Sequence, residues 1–247
     1  MLGSAEQWPS PHTTVILAMS VDGKIADYRR SAARFSSAQD LAHLEAHIAR
    51  MDGVLFGAAT LRAYGTTLTV RQPSLLKQRQ HWGQLPQPVN IVCSRSGDLD
   101  PQCRFFRQLV PRWLLTTVTG AKGWQQRSEF DRILPLLQGA EDGNWCHIMA
   151  QLGSLGLRKL AILGGGTLVA ALLAEDLVNE VVVTVCPLLL GGHAAPTLVD
   201  GPGFLAEAAP RLQLVSVQSL VDEVFLHYRL RPRSLQSPGN SSRLEDN

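Results

Sequence analysis

The chain has 247 residues, enough for one sizeable α/β domain with its own core or for two small ones. Apolar residues make up 45% and charged residues 18%, the balance of a soluble globular protein. A net charge of +2 argues against a nucleic-acid binder, and Arg29-Arg30 is too short to seed a basic stripe, so a small-molecule ligand is expected.

Met1 to Pro11 reads as a flexible leader; Glu6 and Trp8 interrupt it where an export signal needs an apolar core. Thr13 to Met19 is β-branched and apolar, a buried strand. It ends at the turn Ser20-Val21-Asp22-Gly23-Lys24. Ser37 to Met51 is expected to be helical, with Ser37 as its cap and Leu41, Leu44, Ile48 and Met51 on one face. Gly53 to Gly57 is a short buried strand, and Ala58 to Tyr64 one or two helical turns. Val89 to Cys93 and Trp113 to Thr117 are further strands. Leu160 to Leu163 is a strand running into three glycines, and Thr167 to Ala174 a helix of small and apolar residues. Val178 to Cys186 is a long apolar strand stopped by Pro187. Leu212 to Leu220 and Glu223 to Leu230 form a hairpin, and Pro232 to Asn247 has the composition of a disordered tail. The order implies one domain from residue 12 to 231 with a mixed, mostly parallel central sheet flanked by helices.

No stretch reaches the roughly 18 apolar residues of a membrane-spanning helix. Cys93, Cys103, Cys146 and Cys186 are widely spaced and form no C-x-x-C pair, which fits reduced thiols in a cytoplasmic protein. His43 and His47 stand four apart, but no third ligand is near and the order is not H-E-x-x-H, so no metal is expected.

The strongest chemical signal is Gly164-Gly165-Gly166-Thr167-Leu168, where a buried strand meets a helix. Glycines leave no Cβ between backbone and ligand, and the helix start offers free N–H groups suited to a pyrophosphate. A plain strand-to-helix turn has the same pattern; the G-x-G-x-x-G fingerprint of an ordinary dinucleotide domain is absent. Ser94 and Arg95 follow a strand, where ligands of open α/β sheets collect. An Arg there suits the 2′-phosphate that separates NADPH from NADH, although a surface turn explains it equally. Asp22 and Lys24 are candidate catalytic residues, as the groups that shape a flexible lid beside the site. Thr60, Leu68 and Arg71 surround a short helix and the loop after it, with Arg71 suited to a substrate phosphate.

Together, the segments 17–26, 57–61, 68–71 and 163–192 resemble one family: the pyrimidine reductase of riboflavin biosynthesis, the C-terminal domain of a bifunctional deaminase-reductase. The resemblance runs in order from Thr13 to Leu230. It implies a dihydrofolate-reductase-like fold, NADPH as cofactor, a phosphorylated ribosylaminopyrimidine as substrate, and a homodimer. It places Ala18, Thr60, Arg95 and the turn from Gly164 to Leu168 against the cofactor, and Leu68 and Arg71 against the substrate. Leu163 stands at a substrate position where the family has an acidic residue. Arg34, Tyr64 and Ala32 replace a family tryptophan, aspartate and serine. The H-x-E and P-C-x-x-C motifs of the deaminase are absent from this chain, which is read as a stand-alone reductase. Two other functions remain open: reduction of a different pterin or pyrimidine, and NADP binding with little catalysis. The apolar run from Val181 to Leu190 exceeds one buried strand, and part of it is expected to line a subunit interface.

Overall fold

Alternation of apolar side chains builds a two-faced sheet, and the computed structural model shows where each face goes. It describes residues 10–33, 35, 37–136 and 144–231; most of the expected leader, the expected tail and Arg34 lie outside the described residues. In β1 (His12–Ser20), Val15 turns to one core and Ile16 to the other, as strand pleating requires. The same division runs through β2 (Gly53–Gly57) and β3 (Val89–Cys93), where Leu55 and Ile91 oppose Phe56 and Val92.

β4 (Arg112–Thr117), β5 (Arg132–Leu136), β6 (Lys159–Ile162), β7 (Glu180–Cys186), β8 (Leu212–Leu220) and β9 (Glu223–Leu230) complete a nine-stranded sheet. Its order is β5-β4-β3-β2-β6-β1-β7-β9-β8. Strands β1 to β7 pair in parallel, whereas β9 runs antiparallel to both β7 and β8. The expected mixed sheet with a C-terminal hairpin is therefore the observed one.

One face is covered by α5 (Trp145–Ser154) and α6 (Gly166–Ala174), whose Ile148, Met149, Leu152, Val169 and Leu172 are buried. The other carries α1 (Ala38–Ile48) and α2 (Ala58–Tyr64), through Ile48 and Leu61. Ser37 caps α1, its side chain accepting from the Asp40 N–H. Leu41, expected on the apolar face of that helix, is 48% exposed.

Elements beyond the expected set are α3 (Pro73–His81), β5, α5, a 3₁₀ turn at Arg104–Arg107 and a short helix after β4. A four-residue α4 (Val118–Ala121) follows β4. Helix α3 carries Arg79, which is 1% exposed. Its guanidinium donates to the carbonyls of Ala49, Met51 and Leu85 at 2.8–3.0 Å, tying the ends of two loops to the helix.

The apolar run from Val181 to Leu190 divides between core and surface, with Leu189 76% exposed at its far end. Val181, Val182 and Val183 are at most 6% exposed, because β7 lies between β1 and β9 inside the sheet. Further exposed apolar surface lies on β8, where Leu214 and Val217 are 53% and 55% exposed.

Candidate active site

Parallel strands end on one edge of a sheet, and the loops that leave them share that edge. Ala18 in β1, Gly57 closing β2, Cys93 closing β3 and Leu163 just after β6 all line one cavity of about 1000 Å³. Ala18, Thr60, Leu68, Arg71, Arg95, Leu163 and the five residues from Gly164 to Leu168 also line it, so these sequence-singled residues converge on one space.

The glycine turn forms one wall. Gly164 has φ +112°, which a side chain would strain. The Gly164–Gly165 peptide is cis. A Cβ at Gly164 would sit 3.3 Å from Leu17 and 3.6 Å from the Thr60 hydroxyl, so the turn packs directly on β1 and α2. Gly165 precedes α6 in an extended conformation, and a Cβ built there meets only open space. Among the described residues, no acceptor faces the N–H groups of Gly165, Gly166 and Thr167. The head of α6 thus presents unpaired donors at the cavity, a fit for an anionic phosphate group.

Arg95 stands on the wall because its backbone is fastened. Its carbonyl accepts from the Thr117 N–H and from the hydroxyls of Thr116 and Thr117. Ser94 beside it is 3% exposed and is not among the residues that line the cavity. Arg71 reaches the cavity from the loop before α3, with Nε donating to Thr69. Its backbone N–H and that of Gln72 donate to Glu45, which anchors this loop to α1. Arg104 joins Arg71 on the wall. Nothing in the local sequence marks Arg104; only the tertiary fold brings it there.

Asp22 and Lys24 are not among the lining residues either. The Asp22 carboxylate accepts from the Ser20 hydroxyl at 2.6 Å and from the Leu190 and Gly191 N–H groups. These bonds, led by the one from Ser20, hold its pKa down at about 2. Lys24 Nζ donates to the Ala195 carbonyl, and the Lys24 backbone bridges to Thr197. Both side chains clasp the loop after β1 to the loop after β7. Residue 197 in turn braces the glycine turn: Asp200 N–H donates to the Gly166 carbonyl, and the Asp200 carboxylate accepts from Thr197.

Tyr64 lines the cavity and donates from its hydroxyl to the Ala33 carbonyl. Among the described residues, no three His, Cys, Asp or Glu side chains gather as a metal site. His43 and His47 instead pack edge to face, 4.6 Å between ring centres. The four cysteines are free, and burial pushes Cys93 up to about 11 and Cys186 up to about 12, which leaves them inert as thiolates.

With this geometry in view, comparison with known proteins is informative. A model of the RibD C-terminal domain matches residues 11–226. The chain belongs to the RibD C-terminal domain family. A 2,5-diamino-6-ribosylamino-4(3H)-pyrimidinone 5′-phosphate reductase from Archaeoglobus fulgidus is 31% identical to this RibD C-terminal domain over 202 residues, 79% of this chain and 89% of that protein. The structure of Acinetobacter baumannii RibD superposes with a TM-score of 0.73 at 19% identity. That match covers 90% of this chain but only 58% of the RibD chain. Dihydrofolate reductase from Enterococcus faecalis, solved as a complex with NADP(H), superposes with a TM-score of 0.50 at 12% identity over 90% of this chain and 97% of that one. At such identities the structural likeness speaks for the fold alone, and the fold is the expected dihydrofolate-reductase-like one. Among the described residues, no helix is long and apolar enough to cross a membrane.

Proposed function

We propose that this chain is an NADPH-dependent reductase of riboflavin biosynthesis. Its substrate is read as 2,5-diamino-6-ribosylamino-4(3H)-pyrimidinone 5′-phosphate or the 5-amino-6-(5-phosphoribosylamino)uracil counterpart. The observation that carries the reading is the glycine turn, whose unpaired N–H groups open into the same cavity as Arg95 and Arg71. Substrates of this class open their ribosylamine ring to an imine, and bound NADPH supplies the hydride that reduces C1′ to give a ribityl chain. The protein aligns, screens charge and excludes water. Gly165, Gly166 and Thr167 hold the pyrophosphate by N–H donation; Arg95 faces the 2′-phosphate; Thr60 and Ala18 flank the turn. Arg71, with Arg104 beside it, receives the substrate's ribose phosphate. Asp22 and Lys24 act on the lid by fastening it. The proton comes from water. A cytosolic setting, with abundant NADPH and reduced thiols, accompanies this reading.

Two measurements test it. NADPH oxidation in the presence of either pyrimidine phosphate is expected, and a folded chain without turnover on both would overturn the assignment. Arg95→Ala is expected to weaken NADPH roughly 10- to 100-fold, the scale of a lost charged hydrogen bond, and NADH hardly at all. Equal losses for the two cofactors would remove Arg95 from the 2′-phosphate.

We further infer a homodimer built on β8. It is the outer edge of the sheet, nine residues long, and every one of them is exposed. An open edge with Leu214 and Val217 on its surface is a template for pairing, and a second copy of the same strand satisfies both its ladder and its apolar side chains. Light scattering is expected to give twice the chain mass, and Val217→Lys to halve it. A monomeric wild-type protein at micromolar concentration would refute the dimer.

A further inference from the structure

The run Arg104-Phe105-Phe106-Arg107 forms a single 3₁₀ turn. Three residues per turn bring positions i and i+3 into line, so the two arginines share a side. The phenylalanines anchor the turn: Phe105 is fully buried, and Phe106 stacks on Trp124 with 5.4 Å between ring centres. The Phe105 N–H donates to the Gly65 carbonyl, which ties the turn to the end of α2. Arg104 and Arg107 stay at the surface, and with Arg71 they line a groove of about 550 Å³. The groove adjoins the cavity, since Arg71 and Arg104 line both; Arg107 lines the groove alone.

The charges of this groove are unmatched. Among the described residues, no acidic side chain lines it. The Arg104 side chain makes no hydrogen bond or ion pair with any described residue. Arg107 reaches only the Gln102 carbonyl, at 3.5 Å, the outer limit of a hydrogen bond. Arg71 uses Nε on Thr69 and leaves both terminal nitrogens without a described partner. The frame beneath is pinned. Gln87 pairs with both the N–H and the carbonyl of Val70, and Gln108 with both of Thr67, so each side-chain amide stands in for a neighbouring strand. Three guanidinium groups on such a frame repel one another, and an entering anion turns that repulsion into attraction.

We propose that this groove binds a diphosphate group, and that a diphosphate held there competes with the substrate's phosphate for Arg71 and Arg104. A phosphate monoester in the cavity engages those two arginines and leaves Arg107 unmatched. A diphosphate brings a second phosphoryl group, a higher charge and more acceptor oxygens, enough for three planar forks. Leu109 lines the same groove and is 95% exposed, an apolar rest for a group carried on the diphosphate, such as a nucleoside. Binding in the groove asks nothing of the cavity's chemistry. Only the competition rests on reading that cavity as a pyrimidine-reductase site.

Calorimetric titration with inorganic pyrophosphate tests the site, at fixed ionic strength and with excess NADPH to fill the glycine turn. One site per chain is expected. Arg107→Ala is expected to weaken it roughly 10-fold or more, the scale of a lost charged hydrogen bond. In turnover, pyrophosphate is expected to raise KM for the pyrimidine phosphate and leave kcat alone. Arg107→Ala should relieve that inhibition, with kcat/KM in the absence of pyrophosphate unchanged. ADP repeats the titration: tighter binding that Leu109→Ser cuts to the pyrophosphate level assigns a nucleotide, and equal or weaker binding assigns the inorganic diphosphate. Absent binding of both at millimolar concentration, or binding that Arg107→Ala leaves unaltered, overturns the site. So does a loss of kcat/KM in Arg107→Ala as large as its loss of pyrophosphate binding, which would make Arg107 part of the substrate's own phosphate site. Arg107-dependent binding with no effect on KM overturns the competition. If pyrophosphate binds in an Arg107-dependent way while neither pyrimidine phosphate is reduced, the reductase assignment fails and the groove stands.

Discussion

Replacing Gly166 with alanine is expected to weaken NADPH binding roughly 100-fold, the penalty for moving a binding group by about 1 Å. The cause is local crowding. A Cβ at residue 166 would collide with the Thr197 carbonyl and stand 2.8 Å from the Asp200 carboxylate. The first contact is backbone, so the 197–200 loop must move, and with it the start of α6. Overpacking of this kind costs about 1–3 kcal/mol, offset by less than 1 kcal/mol from the better helix propensity of alanine. Gly165→Ala is the contrast. Its Cβ meets nothing in the protein and points into open space at the cavity wall. Stability is then expected to stay within about 1 kcal/mol of wild type, as for a helix-cap change, while NADPH affinity still falls. Fluorescence titration with NADPH and thermal melts of both variants check the pair. Unaltered NADPH affinity in both would detach the glycine turn from the cofactor.

Arg79→Met is expected to lower stability by about 3 kcal/mol and the melting temperature by roughly 6–12 °C. The methionine fills much of the same volume, yet three carbonyls lose their donor: those of Ala49, Met51 and Leu85. Residues 49–52 lead into β2 and residue 85 lies ahead of β3, so the loss is felt where two central strands begin. Lysine keeps a charge but not the planar fork, and Arg79→Lys is expected to recover only part of the difference. Urea melts followed by circular dichroism measure both. A drop below about 1 kcal/mol for the methionine variant would mean that water replaces the guanidinium at little cost.

Arg79 also shows why part of the fold was hard to read. Its helix, Pro73–His81, carries mostly polar residues, and its adjacent Leu75 and Leu76 pack on the core without forming a helical-period stripe, while a buried arginine supplies further anchoring. Strand β5 hides for another reason: Pro135 interrupts an edge strand, a place where the missing N–H costs nothing. Helix α5 was not read, although Trp145, Ile148, Met149 and Leu152 have helical spacing, because histidine, cysteine and tryptophan are weak helix formers and mask it. By contrast, the hairpin strands and the β6-to-glycine junction stand where period and composition put them. In the site, residues tied to backbone geometry were readable, as the glycine turn was. Residues whose role depends on which way a side chain turns were not. Ser94 and Arg95 are neighbours, yet Arg95 lines the cavity while Ser94 is buried and does not. Asp40 lies on a helix with exposed polar residues, yet it is 5% exposed and lines the cavity.

The brace at residues 195–200 ties together places far apart in the chain. One end holds the Gly166 carbonyl through the Asp200 N–H, and the other is stitched to the loop after β1 through Lys24 and Ile25. The head of α6 and the loop after β1 therefore share one support: any displacement of residues 195–200 reaches both the glycine turn and the turn that Asp22 and Lys24 fasten.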